Sequence, residues 1–196
     1  MAIETTDNKL MLAQAVTRRI CHDLAGLLGT LNGTLEMTAD DPEAAALAAE
    51  TAGALSARLK LLRGAWGGGV EALDQAALQA LLPGLHGAER LRLNANAVTA
   101  PLDGAAARLC LCLLLVAAPA LPKGGTILVG ATGGSVWVEL EGPGAAWPAS
   151  LAGPASDAWQ DAEAPRSLPH ALCRLLAAAE GWHLQVSGTR VTANLE

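Results

Sequence analysis

Tyrosine and phenylalanine are absent from this chain of 196 residues, and five tryptophans supply its only large aromatic rings. A core must therefore be filled by aliphatic side chains; at 52% hydrophobic residues there is ample material for one domain or two small ones. Positive charge is scarce as well. Lys and Arg number 13 against 19 Asp and Glu, the net charge is -6, and no stretch concentrates base, so the footprint of a nucleic-acid binder is missing. Met1 to Lys9 is polar, and the most apolar run, Leu109 to Pro122, is too short to span a bilayer and holds Pro119. These features predict a cytoplasmic protein with no membrane anchor. The four cysteines, Cys21, Cys110, Cys112 and Cys173, form no C-x-x-C pair, and reduced, buried thiols are expected. His86, His170 and His183 are scattered, without partners at metal-ligand spacing, so no metal site is expected.

What is present divides into two textures. From about Asn8 to Met37, Leu12, Val16, Ile20, Leu24, Leu27, Leu31 and Leu35 recur every three or four positions, the spacing of one helical stripe. Asp40, Asp41, Pro42 and Glu43 then offer a capping side chain, a first-turn proline and acid suited to a helix N-terminus. A second helix is predicted there, with the stripe Leu47, Thr51, Leu55, Leu59 and Leu62, stopping at Gly64 before the Gly67-Gly68-Gly69 joint. Two helices cannot enclose a core, so this hairpin, residues 1–66, is expected to pair with a second copy as a dimeric four-helix bundle.

Beyond the joint, helices and strands alternate: helices near Leu73–Leu82, Pro101–Ala118 and Leu168–Glu180, strands near Arg90–Asn94, Thr126–Gly130, Ser135–Glu141, His183–Ser187 and Arg190–Asn194. Residues 70–196 are therefore expected to form an α/β sandwich, a mainly antiparallel sheet with helices on one face, which makes the whole chain α+β.

His22 lies on the side of the first helix away from its apolar stripe and is predicted to face solvent. Arg18, Arg19, Ala25, Gly26 and Gly29 share its face, with Ala15 and Gly33 further along. Glycine inside a helix costs about 1 kcal/mol against alanine, so a glycine-rich face calls for a reason. Either another protein's backbone comes close to the imidazole there, or this helix packs tightly within its own chain. Asp23 follows directly; a carboxylate that accepts a hydrogen bond from one ring nitrogen leaves the other basic and nucleophilic. Spacing alone leaves His22 undecided between a phosphoryl acceptor and an ordinary surface histidine.

Arg19-Ile20-Cys21-His22-Asp23-Leu24 resembles the phosphorylation helix of the ChpT-type bacterial histidine phosphotransferases, and more distantly the H-box of dimerising histidine kinases. The likeness extends over nearly the whole chain and includes the Leu-Pro-x-Gly-Gly turn at Leu121–Gly125 and the Ala-Ala-Glu-Gly segment at Ala178–Gly181. The resemblance implies a homodimer whose second domain is a GHKL-type ATPase domain that has lost its nucleotide. The residues fit that loss. Val116 stands where such kinases carry a Mg²⁺-binding asparagine, and Leu140 stands for the adenine-recognising acid, with Glu141 turned to the other face of its strand. Pro165, Ser167 and Pro169 occupy the places of phosphate-cradling glycines, and the Asp157–Arg166 stretch is short for a nucleotide lid.

The function this implies is phosphoryl relay through His22 and Asp23, with Arg18, Arg19, Ala25, Gly26 and Gly29 meeting the partner. The partners would be the receiver domain of a CckA-like hybrid histidine kinase upstream and regulators resembling CtrA and CpdR downstream. Gly33, Arg58 and Arg63 are placed near the same interface. No cofactor is expected on this chain; Mg²⁺ would come with the receiver. Gly26 stands where kinases with phosphatase activity place Thr or Asn, so little phosphatase activity is expected. An ATP-using histidine kinase and a non-catalytic dimeric scaffold for receivers are the competing readings.

Overall fold

The structure is a computed structural model. It describes residues 2–38, 41–69, 71–132, 134–155, 158 and 166–195; of residues 2–7 it describes the backbone alone. Asp40, Asp157 and Pro165, on which three of the sequence expectations fall, lie outside the described residues.

Helix α1 spans Ala2–Met37 and α2 spans Pro42–Trp66, packed against each other as a hairpin. Asp41 caps α2 through a 2.8 Å bond from the Glu43 amide, with Pro42 in the first turn, as the acidic cluster before it predicts. The helix runs past Gly64, the expected stop, and ends where the Gly67 amide reaches the Arg63 carbonyl at 2.9 Å. Leu61, Leu62 and Ala65 are buried in the core of the rest of the chain, and that anchoring outweighs the helix cost of one glycine. The stripe assigned to α2 divides: Thr51 and Leu62 are buried, while Leu47 and Leu59 are exposed. The short side chains of Ala44, Ala48 and Thr51 fill the buried side instead.

The expected helix at 73–82 shrinks to α3, Gln75–Gln79, capped by Asp74: Leu73 pairs backbone to backbone with Leu102 instead, and Leu82–Gly84 forms a single tight turn. The chain then enters β1 (Leu91–Val98), crosses over through α4 (Gly104–Ala117), and returns as β2 (Gly125–Thr132) parallel to β1. The Leu121–Gly125 turn places Gly124 at φ +79°, a conformation open to glycine. After β3 (Ser135–Glu141) come α5 (Leu168–Ala179), β4 (Trp182–Ser187) and β5 (Arg190–Leu195). The sheet has the order β1-β2-β3-β5-β4 and is antiparallel except for the first pair. The fold is α+β.

Alternation along the strands decides which face is covered. Ile127, Val129, Val136, Val138, Leu140, Val191 and Ala193 point into one core beneath α4 and α5. On the other face the Arg190 guanidinium lies 4.5 Å above the Trp137 ring and its Nε donates to Glu139 at 2.9 Å. Helix α4 packs against the sheet, α2 and α5, so Leu109 to Ala117 are buried. Three cysteines are buried as expected, and burial pushes the Cys110 and Cys173 thiols up to about 12. Cys21 departs from the expectation and is exposed on α1, on the side away from the core. Leu12 and Val16 of α1 pack on the cluster of Ala158, Leu168, Ala171 and Leu172, and Ile20 and Leu24 pack against the main core. Among the described residues no helix is long and apolar enough to cross a membrane.

Candidate functional site

Because α1 turns about 100° per residue, neighbours in sequence point in different directions, and the site is built on that offset. The His22 side chain faces outward, 84% exposed. Asp23, one residue on, turns inward between α1 and α2, where its side chain is 9% exposed. Its Oδ1 forms an ion pair with Arg19, whose Nε lies 3.0 Å away, and is 3.5 Å from His22 Nδ1, within ion-pair range but long for a hydrogen bond. Its Oδ2 is held by the guanidinium of Arg58 on α2. Burial alone would push the Asp23 carboxyl up, but Arg58 and Arg19 outweigh it and hold the group below its ordinary value. Asp23 is therefore a charged carboxylate at neutral pH.

Arg58 is itself buried, and its second terminal nitrogen donates to the Gly84 carbonyl at 3.1 Å. The Leu82–Gly84 turn comes so near to α2 that a Cβ on Gly84 would lie 2.5 Å from the Arg58 amide nitrogen; only glycine permits this approach. Between the hairpin and this turn runs an open groove of about 610 Å³, with His22, Asp23, Gly26 and Arg58 on one wall and Gly84 and His86 on the other.

The small residues beside His22 stand open on the outer face of α1. Ala25, Gly26 and Gly29 are exposed, and a Cβ added at Gly26, Gly29 or Gly33 would find no atom within 4 Å. Close packing inside this chain, the alternative left open for that face, is therefore not what the glycines serve. Arg18 and Arg63 are exposed, and Arg19 is partly covered by its pairing with Asp23. Arg58, placed near the partner surface from sequence, lines the groove but spends its guanidinium inward. From sequence Arg58 stood near the interface with no partner named for its charge, and nothing pointed to the turn across the groove from His22; the available signal was an arginine embedded in an apolar helix, which calls for an acidic partner.

The residues compared with a nucleotide site lie elsewhere. Val116 is fully buried in α4, Leu140 is buried in β3 with Glu141 exposed beyond it, and Ser167 and Pro169 sit at the start of α5. Among the described residues no three His, Cys, Asp or Glu side chains gather as a metal site.

Residues 75–190 match the family model for the histidine phosphotransferase C-terminal domain. Among solved structures the chain is similar to a bacterial phosphotransferase, at 22% identity, covering 94% of this chain and 95% of that one with a TM-score of 0.70. It also matches a blue-light activated histidine kinase of Erythrobacter litoralis, at 19% identity over 89% of this chain and 62% of that one, with a TM-score of 0.44. No curated protein sequence matches it.

Proposed function

The chain belongs to the histidine phosphotransferase family, whose C-terminal domain it carries over residues 75–190, and from that premise we propose that it relays a phosphoryl group on His22 between receiver domains without using ATP. The observation that carries this reading is an exposed imidazole beside a buried, charged carboxylate, on a helix face stripped of bulk. Ring nitrogen Nδ1 is the one facing Asp23, so Nε2 is the nucleophile offered to solvent. The incoming receiver brings an aspartyl phosphate and Mg²⁺; this chain supplies position and a lone pair. Reversal of the same step passes the group to a second receiver.

The upstream donor in this reading is the receiver of a CckA-like hybrid kinase, and the acceptors are regulators resembling CtrA and CpdR. Arg18, Arg19, Ala25, Gly26 and Gly29 form the contact face, and the relay works in the cytoplasm as a homodimer. Residues 1–66 carry the phosphoryl group and residues 70–196 serve docking. Loss of ATP use is supported by Val116 and Leu140, apolar where a cation ligand and an adenine acceptor would be needed. With Gly26 four residues after His22, no side chain is there to orient water, so the phosphohistidine should be long-lived.

The test offers the purified chain either a labelled, phosphorylated receiver or labelled ATP. Label arriving from the receiver and none from ATP is expected. Label from ATP alone makes the protein a kinase, and label from neither makes it a scaffold.

A further inference from the structure

Arg58 lies 35 residues from Asp23 and 26 from Gly84 in sequence, yet its guanidinium joins both, donating to Oδ2 of one and the carbonyl of the other. Its side chain is 9% exposed, as is that of Asp23. A planar guanidinium fixed at two points cannot turn, and the carboxylate it holds cannot turn either. Of the two Asp23 oxygens, only Oδ1 is then left toward the imidazole, where it meets Nδ1 of His22 at 3.5 Å and Arg19 Nε at 3.0 Å. The far anchor is rigid as well, since the Gly84 backbone is seated directly against that of Ala57 and Arg58.

We propose that Arg58 is a positioning residue for phosphoryl transfer: it clamps Asp23 to the Leu82–Gly84 turn so that the carboxylate stays 3.5 Å from Nδ1 of His22, favours the proton on that nitrogen by its charge, and leaves Nε2 for the phosphoryl group. This rests on His22 being the acceptor. In the transfer step the Nε2 lone pair forms the N–P bond as the P–O bond of the acyl phosphate breaks, its electron pair leaving on the receiver's carboxylate. The Nδ1 proton stays in place, and the positive charge that develops on the ring is met by Asp23, held in position from behind. The C-terminal half of the chain thereby acts on the phosphoryl-bearing helix through one buried guanidinium.

The experiment uses the full chain as wild type, Arg58→Met and Arg58→Lys. It measures single-turnover phosphorylation by a phosphorylated receiver at varied receiver concentration, and the His22 tautomer from long-range ¹H–¹⁵N spectra. For Arg58→Met the maximal rate is expected to fall by at least about tenfold. The half-saturating receiver concentration should stay within about twofold, and the bias toward Nδ1–H should be lost. Arg58→Lys retains a cation beside Asp23 but cannot serve two acceptors in one plane. It is expected to fold, to lose the tautomer bias and to fall short of the wild-type rate; if Arg58→Met does not fold, this variant decides. Wild-type rate and tautomer in a folded variant would overturn the proposal while leaving the relay intact. A wild-type chain that takes no label from any receiver would instead overturn the reading on which the proposal rests.

Discussion

At the scale of single residues, Asp23 combines burial with a charge, and its two arginines decide the balance. Its folded-state carboxyl is held below its ordinary value, whereas in the unfolded chain it titrates near the usual value of about 3.9. The stability it contributes is therefore present above that value and is lost as pH falls through the folded one. Asp23→Asn is expected to destabilise the protein by about 3 kcal/mol at pH 7, because Arg58 is left buried without its counter-charge. The gap between variant and wild type should narrow below about pH 4. Urea midpoints from pH 7 down to pH 3 check this; parallel curves for the two proteins would contradict it. His22 and Asp23 were legible in the sequence because the helical period puts one outward and lets the other reach the hairpin seam. Arg58 was not, because its pairing is set by the crossing of α1 over α2 and by the close seat of Gly84, neither of which a linear pattern encodes.

At the scale of elements, α1 presents three faces. One packs on its own chain, one carries His22 with the glycines, and one exposes Leu28 and Leu35, roughly 120–140° round the axis from His22. The glycine face is open, so a methyl group at Gly29 should be gained without a clash. Gly29→Ala is expected to stabilise the helix by about 0.5–1 kcal/mol, read as a higher melting temperature. Gly29→Leu should fold equally well and yet lower transfer from the receiver about tenfold, since the added bulk stands where a partner backbone must come near. Unchanged transfer in a folded Gly29→Leu protein would show that this face is not the docking surface. The helices and strands themselves were legible from period and punctuation. The errors, at Gly64 and at 73–82, arose where tertiary burial overrode a glycine and where Leu73 is drawn into a backbone pairing with the distant Leu102.

At the scale of the whole molecule, the exposed apolar residues Leu28, Leu35, Leu47 and Leu59 lie on the hairpin helices, and a second copy is the occupant we propose for them. Light scattering should give twice the chain's 19.9 kDa for the wild type, and paired Leu28→Glu and Leu35→Glu changes should halve it. A wild-type monomer at micromolar concentration would remove the bundle from the account. The sequence separated a helical hairpin from an α+β part, but it did not show that α1 and the end of α2 pack onto the sheet-bearing part, with Leu61, Leu62 and Ala65 inside its core. Contacts between distant segments depend on shape, and an alanine-rich helix reads alike whether it meets a sheet or water.

The proposed relay depends on His22 carrying the phosphoryl group, and locating that group on the chain tests it. Wild type and His22→Ala would be incubated with a phosphorylated receiver, digested at neutral to alkaline pH and sequenced by mass spectrometry. Phosphohistidine at position 22 in the wild type, with no phosphorylated peptide from His22→Ala, is the predicted result. A phosphoryl group on any other residue, or one that survives in His22→Ala, would contradict the account.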